Sequence, residues 1–239
     1  PPGGDAAEAA LAVRASIEES ALQDLAVAAL HAGDRGLSRS VRVVLAPLHG
    51  AKREPEIDRL LHRTYGPVLW RALSAANPAV RLNAAPVLAD TFPLRDPDGT
   101  EDELGRAVAR TVDALLALLR DPHPAVRVAA SGGTGRLLLS FWDALPANDI
   151  RRLLNEIVTR NSSDATSAAV RAEAVATVGL LLDAEHARAV LRPLLPSMGN
   201  LIHDKSERVR LAVVHMLLKI KKIRGLKYYH VVPVEHLLS

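Results

Sequence analysis

Asp121-Pro122-His123-Pro124-Ala125-Val126-Arg127 is the stretch whose reading decides the fold class. Two prolines within three residues stop any helix arriving from Leu119, and Pro124 suits the first turn of a new helix, where a missing N–H goes unused. An amphipathic pattern with helical spacing runs from Thr111 to Leu119 before it, and a second opens at Ala125-Val126-Arg127 after it. The segment therefore reads as helix, turn, helix. Its Val-Arg pair recurs at Val41-Arg42, Val80-Arg81, Val170-Arg171 and Val209-Arg210, and the arginines step by 39, 46, 44 and 39 residues. Such a period brackets the roughly 40–47 residues of a two-helix repeat.

The last unit shows what these repeats need. Val209, Ala212, Val213, Met216, Leu217, Ile220 and Ile223 follow one helical stripe, and Leu211, Val214 and Leu218 form a second. Two apolar faces call for neighbours on both sides, the arrangement of stacked repeats that each contact the next. The expected fold is all-α, a HEAT-repeat α-solenoid of about five stacked helix pairs. Arg42, Arg81, Arg127, Arg171 and Arg210 should then occupy equivalent places near the starts of second helices. The expected organisation is one solenoid fragment over 1–239, with 1–56 holding the first repeat, 57–229 four more, and 230–239 the start of a further helix at Pro233-Val234-Glu235-His236-Leu237-Leu238. Both ends read as cuts in a longer chain. Asp121 with Arg127 and Asp204 with Arg210, each six residues apart, are expected as ion pairs tying turn to helix, the structural ladder of such repeats. Gly36, Ala75 and Ala165 stand at the corresponding positions of the other units.

Composition agrees with small-residue helix packing. The 239 residues are 49% hydrophobic but only 3% aromatic, and there is no cysteine, so disulfide scaffolds, thiol nucleophiles and sulfur-ligated zinc are excluded. No uninterrupted apolar run approaches the ~18 residues of a membrane helix. The formal net charge of +3 is mild, but its distribution is not. Between Lys205 and Lys227, eight basic residues face the single acid Glu207, a local charge of +7 against −4 for the remainder.

Other motifs dissolve on inspection. Ser131-Gly132-Gly133-Thr134-Gly135-Arg136 lacks the preceding strand and the Gly-Lys-Ser/Thr of a phosphate loop, and falls inside a helical pattern, so it reads as a closely packed or locally loosened helix. Asp96-Pro97-Asp98-Gly99 has its glycine at the fourth position of the acidic run rather than the sixth that a calcium loop requires. Thr100 with Glu103 instead reads as a capping box. Nine histidines include no His-Glu-x-x-His, and Glu185-His186 and Glu235-His236 read as solvated surface. No catalytic residue, cofactor, metal ligand or small-molecule substrate is expected, and a HEAT-fold enzyme has no support.

Longer strings point to one family. Tyr65-Gly66-Pro67-Val68-Leu69-Trp70-Arg71, Asn77-Pro78-Ala79-Val80-Arg81-Leu82-Asn83-Ala84, Phe92-Pro93-Leu94-Arg95-Asp96-Pro97, Leu194-Leu195-Pro196, His203-Asp204-Lys205-Ser206-Glu207-Arg208-Val209-Arg210, Leu217-Leu218-Lys219-Ile220-Lys221 and Glu235-His236-Leu237-Leu238 occur in that order from about Glu56 to Ser239. Together they resemble the G-type HEAT-repeat subunits of condensin II, while residues 1–56 match only weakly. The resemblance implies a non-enzymatic scaffold that binds a kleisin subunit, works with the structural-maintenance-of-chromosomes (SMC) ATPases, and holds double-stranded DNA in chromatin during mitotic chromosome condensation in the nucleus, with no membrane role. The residues expected to meet DNA are Lys205, Arg208, Lys219, Lys221, Lys222, Arg224 and Lys227. The competing reading is a generic HEAT adaptor for protein partners only, in transport or as a phosphatase scaffold, and the +7 segment favours the chromatin reading over it.

Overall fold

The computed structural model describes residues 4–237, in which every regular element is helical and no strand occurs. Pro1–Gly3, Leu238 and Ser239, and with them parts of the expected terminal features, lie outside the described residues. The chain divides into two compact units, Pro1–Thr111 and Val112–Ser239.

In the first unit, α1 (Gly4–Ser16) runs through a π-helical stretch at Ile17–Leu22 into α2 (Gln23–His31). There follow α3 (Arg35–Gly50), α4 (Pro55–Tyr65), the short α5 (Leu69–Leu73), α6 (Pro78–Asp90) and the start of α7 (Glu101–Leu119). The starts of α3, α4, α6 and α7 have local causes. The Asp34 side chain accepts from Leu37 N at 2.7 Å, Asn77 from Ala79 N at 2.9 Å, and Pro55 and Pro78 occupy first-turn positions. Thr100 and Glu103 form the reciprocal capping box ahead of α7, with Thr100 N donating to Glu103 Oε2 at 2.7 Å and Glu103 N to Thr100 Oγ1 at 3.3 Å.

α2 packs on α3 and α6, and α5 packs on α6. Ala26, Ala29, Leu30, Leu45, Leu69 and Leu88 form the sealed core. Two polar side chains stitch it: Asn83 Nδ2 donates to the carbonyls of Leu30 and Ala32, and Ser38 Oγ to that of Ala29, so the loose carbonyls at the end of α2 are satisfied.

Arg42 departs from the expected register. Arg81, Arg127, Arg171 and Arg210 are each the fourth residue of their helix, whereas Arg42 is the eighth of α3, and Ser38 holds the fourth place. Set one turn further along, Arg42 reaches Asp90 at the end of α6 at 2.5 Å, and Lys52 Nζ donates to the Asp90 carbonyl at 2.9 Å. Beside them the buried His49 meets the hydroxyl of Tyr65 at 2.9 Å. Burial holds the His49 pKa down, Asp90 opposes this, and Lys52 and Arg42 reinforce it.

The second unit contains the end of α7, then α8 (Pro124–Phe141), α9 (Ala147–Asn155) with its π-helical extension Glu156–Asn161, α10 (Ala168–Leu181), α11 (Glu185–Leu191) with the 3-10 stretch Leu195–His203, and α12 (Glu207–Lys222). α8, α10 and α12 pack side by side in one layer, and the 156–161 and 195–203 stretches lie against α10 and α12 as a second layer. Covered on several sides, α8 and α10 bury residues around most of their circumference.

The glycine cluster belongs to this packing. A Cβ on Gly135 would sit 2.7 Å from Thr177 Cγ2 of α10, so glycine there lets the two helices approach. The second apolar stripe of α12 has no such cover. Val209, Val213, Met216 and Ile220 are buried, but Leu211, Val214 and Leu218 are 49%, 39% and 52% exposed, so the second apolar stripe of this helix meets no neighbour among the described residues.

Two predictions follow from packing and burial. Gly135→Ala, a change that favours most helix interiors by about 1 kcal/mol, should here destabilise by about 1–3 kcal/mol in urea melts. Adding Thr177→Ser, which removes the stiff Cγ2, should recover most of the loss. For His49, the unfolded chain takes up a proton near pH 6.5 before the folded chain does, so stability should fall as pH drops below about 6.5. His49→Gln should remove that component, read as the wild-type minus variant difference in urea midpoint between about pH 7 and pH 5.

Candidate nucleic-acid interface

The basic end of the chain is held in place by a ladder of arginines and aspartates. Arg127 Nη1 donates to the carbonyls of Asp121 at 2.7 Å and Pro122 at 3.1 Å, Arg81 Nη1 to those of Ala75 and Ala76, and Arg210 Nη1 to those of Asp204 and Lys205. Arg171 Nη1 does the same to Asp164. In α6, α8, α10 and α12 the arginine at the fourth position thus ties down the turn before it.

The carboxylates pair differently from the expected Asp121–Arg127 and Asp204–Arg210 bridges. Arg127 Nη2 lies 2.7 Å from Asp164 Oδ2, and Arg171 grips Asp204 with two parallel bonds of 2.6 and 2.8 Å. Each of these two arginines therefore bonds its own turn through backbone oxygen and the next turn through a carboxylate. A side chain six residues from its turn is already occupied by the carbonyls that the turn presents, and its remaining donors point along the stack. Asp164 stands at minus seven from Arg171, one residue outside the minus-six spacing of Asp121 and Asp204. A usable signal was the turn chemistry: Asp121 Oδ1 accepts from His123 N, Asp164 Oδ1 from Thr166 N and Asp204 Oδ1 from Ser206 N.

The arginines act on the acids electrostatically. Asp204 is held below the usual carboxylate range by the hydrogen bonds from Arg171, against its burial. For Asp164 burial pushes upward, but the Thr166 hydrogen bonds and Arg127 outweigh it and its pKa is lowered.

Beyond the ladder the cations part into groups. Lys205 and Arg208 are exposed at the start of α12, whereas Lys221 and Lys222 are exposed in its last turn. At 1.5 Å per residue the two ends are separated by about 20 Å, so the cations do not crowd together as the linear sequence implied. Lys219 is engaged: its Nζ donates to the Gly179 carbonyl at 3.0 Å and to Asp183 Oδ2 at 2.7 Å, fastening α12 to the end of α10. Arg208 faces Glu173, whose pKa is raised by burial in spite of Arg208 and Arg136.

Past α12, Arg224 and Lys227 are exposed, and the chain then folds back so that Val231 and Val232 are buried. Gly199 permits this return, because a Cβ there would collide with the Val231 carbonyl. Lys221, Lys222, Arg224 and Lys227 form one exposed cationic run, next to the edge-to-face pair Tyr228 and Tyr229 with ring centroids 5.5 Å apart.

Among the described residues no group of three or more His, Asp or Glu side chains is placed to hold a metal ion, and no helix is long and apolar enough to cross a membrane. His186 of the Glu185-His186 pair stacks against Trp142 with centroids 4.9 Å apart.

Known proteins are similar to this sequence. A family profile described as "Condensin II non structural maintenance of chromosomes subunit" matches residues 5–96. Condensin-2 complex subunit G2 of Danio rerio is 38% identical over 225 residues, which is 93% of this chain and 20% of the relative. The Homo sapiens protein of the same name is 35% identical over 93% of the chain, and that of Xenopus laevis 33% over 94%, again covering 20% of each relative. Along most of its length the chain is thus similar to proteins named condensin-2 complex subunit G2. It spans about a fifth of the length of these relatives. The profile match at residues 5–96 includes most of the N-terminal part, 1–56. No solved structure matches the chain.

The ladder makes a quantitative prediction. Arg127 and Asp164 are each only 10% exposed in their side chains, so Asp164→Ala should cost about 3 kcal/mol by stranding the guanidinium. In a double-mutant cycle with Arg127→Ala the two losses should be strongly non-additive, as measured by urea denaturation.

Proposed function

We propose that this chain is part of a non-enzymatic HEAT-repeat scaffold subunit of condensin II, which binds a kleisin subunit and double-stranded DNA and acts beside the SMC ATPases in mitotic chromosome condensation in the nucleus. The observation that carries the reading is sequence similarity along 93% of the chain to proteins named condensin-2 complex subunit G2. None of these names describes an enzyme, in keeping with a scaffold role. Two features of the molecule support the finer parts. A layer of side-by-side helices suits an extended segment of a disordered partner, whose binding spreads modest energies over many contacts. The exposed run Lys221, Lys222, Arg224 and Lys227 suits phosphates, whereas Lys219 and Arg210 are committed to Asp183 and to the turn carbonyls. Cations at the end of α12 also complement its dipole, so DNA contact and helix capping compete as explanations for Lys221 and Lys222.

The test has two arms. The complete subunit should copurify with its kleisin at moderate salt, and failure to do so removes the main support for the kleisin reading. DNA binding should be independent of base sequence and should weaken with salt at a slope of about −0.9 per phosphate contacted. Changing Lys221, Lys222, Arg224 and Lys227 together to Glu should abolish it with helicity intact by circular dichroism. Unchanged affinity and salt slope in that variant would make the run a solvated helix end.

A further inference from the structure

The first-helix layer of the second unit carries a groove unrelated to the cationic run. Ile150, Leu153 and Leu154 turn α9 toward the core, which leaves Arg151, Arg152 and Asn155 along one wall. Ala187 and Leu191 bury the inner side of α11, leaving Val190, Pro193 and Leu194 along the other. The cavity between them is about 570 Å³, within the range of sites that hold ligands, but it lies open to solvent as a trough.

Its two walls differ in chemistry. One is aliphatic; the other carries two guanidinium groups, and no carboxylate lines the groove. Arg152 is already neutralised by Asp149 at 2.9 Å and Asp113 at 3.2 Å. Arg151 is exposed and has no hydrogen-bond or ion-pair partner among the described residues, so its planar fork of donors is available. Asn155, one helical turn along, adds an amide beside it.

We propose that this groove docks a short segment of a protein partner that presents a carboxylate beside an aliphatic side chain, with the carboxylate on Arg151 and the aliphatic group on Val190, Pro193 and Leu194. Charge complementarity selects the acid, because the only uncompensated charge in the trough is positive. The aliphatic wall selects the neighbouring residue. A nucleic acid fits poorly, since the trough has one free cation and no aromatic ring on which a base could stack. The groove lies away from the α8, α10 and α12 layer, and the inference does not rest on the kleisin or DNA reading.

The test uses the 239-residue chain and two fluorescein-labelled octapeptides, one alternating glutamate with leucine and one alternating lysine with leucine, followed by fluorescence anisotropy. The glutamate peptide should bind and the lysine peptide should not. Arg151→Glu and Val190→Asp should each weaken binding at least tenfold, with helical circular dichroism unchanged. Arg39→Glu, an equal charge change at an exposed position on α3, should alter it less than twofold. Equal binding of both peptides, no binding of either, or an equal loss in Arg39→Glu would overturn the proposal. So would sedimentation showing that the chain dimerises and that Val190→Asp makes it monomeric, since a second copy would then occupy the groove.

Discussion

A guanidinium at the fourth position of a second helix, bonded backward to the carbonyls of its own turn and forward to the carboxylate of the next, is the constraint on which the second unit depends. Asp164 shows how much one turn residue carries. Its carboxylate accepts from Thr166 N, Thr166 Oγ1, Ser167 N and Arg127, while its carbonyl accepts from Arg171. Turn shape, helix start and the spacing between repeats are thereby set by the same atoms. These bonds are directional where hydrophobic burial is not, so they fix the rotation of α8, α10 and α12 about their axes and let small residues such as Gly135 face the neighbouring helix.

In the first unit Arg81 of α6 keeps the bonds to its own turn, but α3 solves the same problem differently. Ser38 takes the arginine's place in α3 and bonds the end of α2 through a hydroxyl, while Arg42, one turn on, closes on Asp90. Around Asp90 the half-buried Arg42 and Lys52, with the buried His49 and Tyr65 beside them, replace the ladder at this helix. Such a group depends on its protonation state in a way the arginine–aspartate ladder does not near neutral pH, because arginine stays charged and aspartate stays ionised.

The ladder also bears on function, since a side chain committed to the fold is withdrawn from ligands. Arg127, Arg171, Arg210 and Lys219 are basic residues spent on turns and neighbouring helices. Among the basic residues that stay exposed are a cationic run at the end of α12, a separate pair at its start, and Arg151 on α9. A net local charge counted along the sequence merged these groups, although about 20 Å of helix divides the first two.

Periodicity alone carried the fold class, because a Val-Arg pair after a proline- or aspartate-bearing turn recurs at the length of two packed helices, and the capping box at Thr100 and Glu103 was legible from a three-residue spacing. Both are local rules: helix starts and turns are decided by residues within a few positions of one another. Which aspartate meets which arginine was not local. The partner of Arg127 is 37 residues away, and an extra residue in the preceding turn displaces it from the expected offset. In the same way sequence does not tell Lys219 from its neighbours until the end of α10 lies beside it, and the glycine cluster reads as either close packing or local loosening until Thr177 stands against Gly135. The sequence by itself determined that helices form, where they begin and how often they repeat. Tertiary structure decided which charges are consumed and which are left for a partner, because a charge is free or paired only according to what lies a few ångströms away in space.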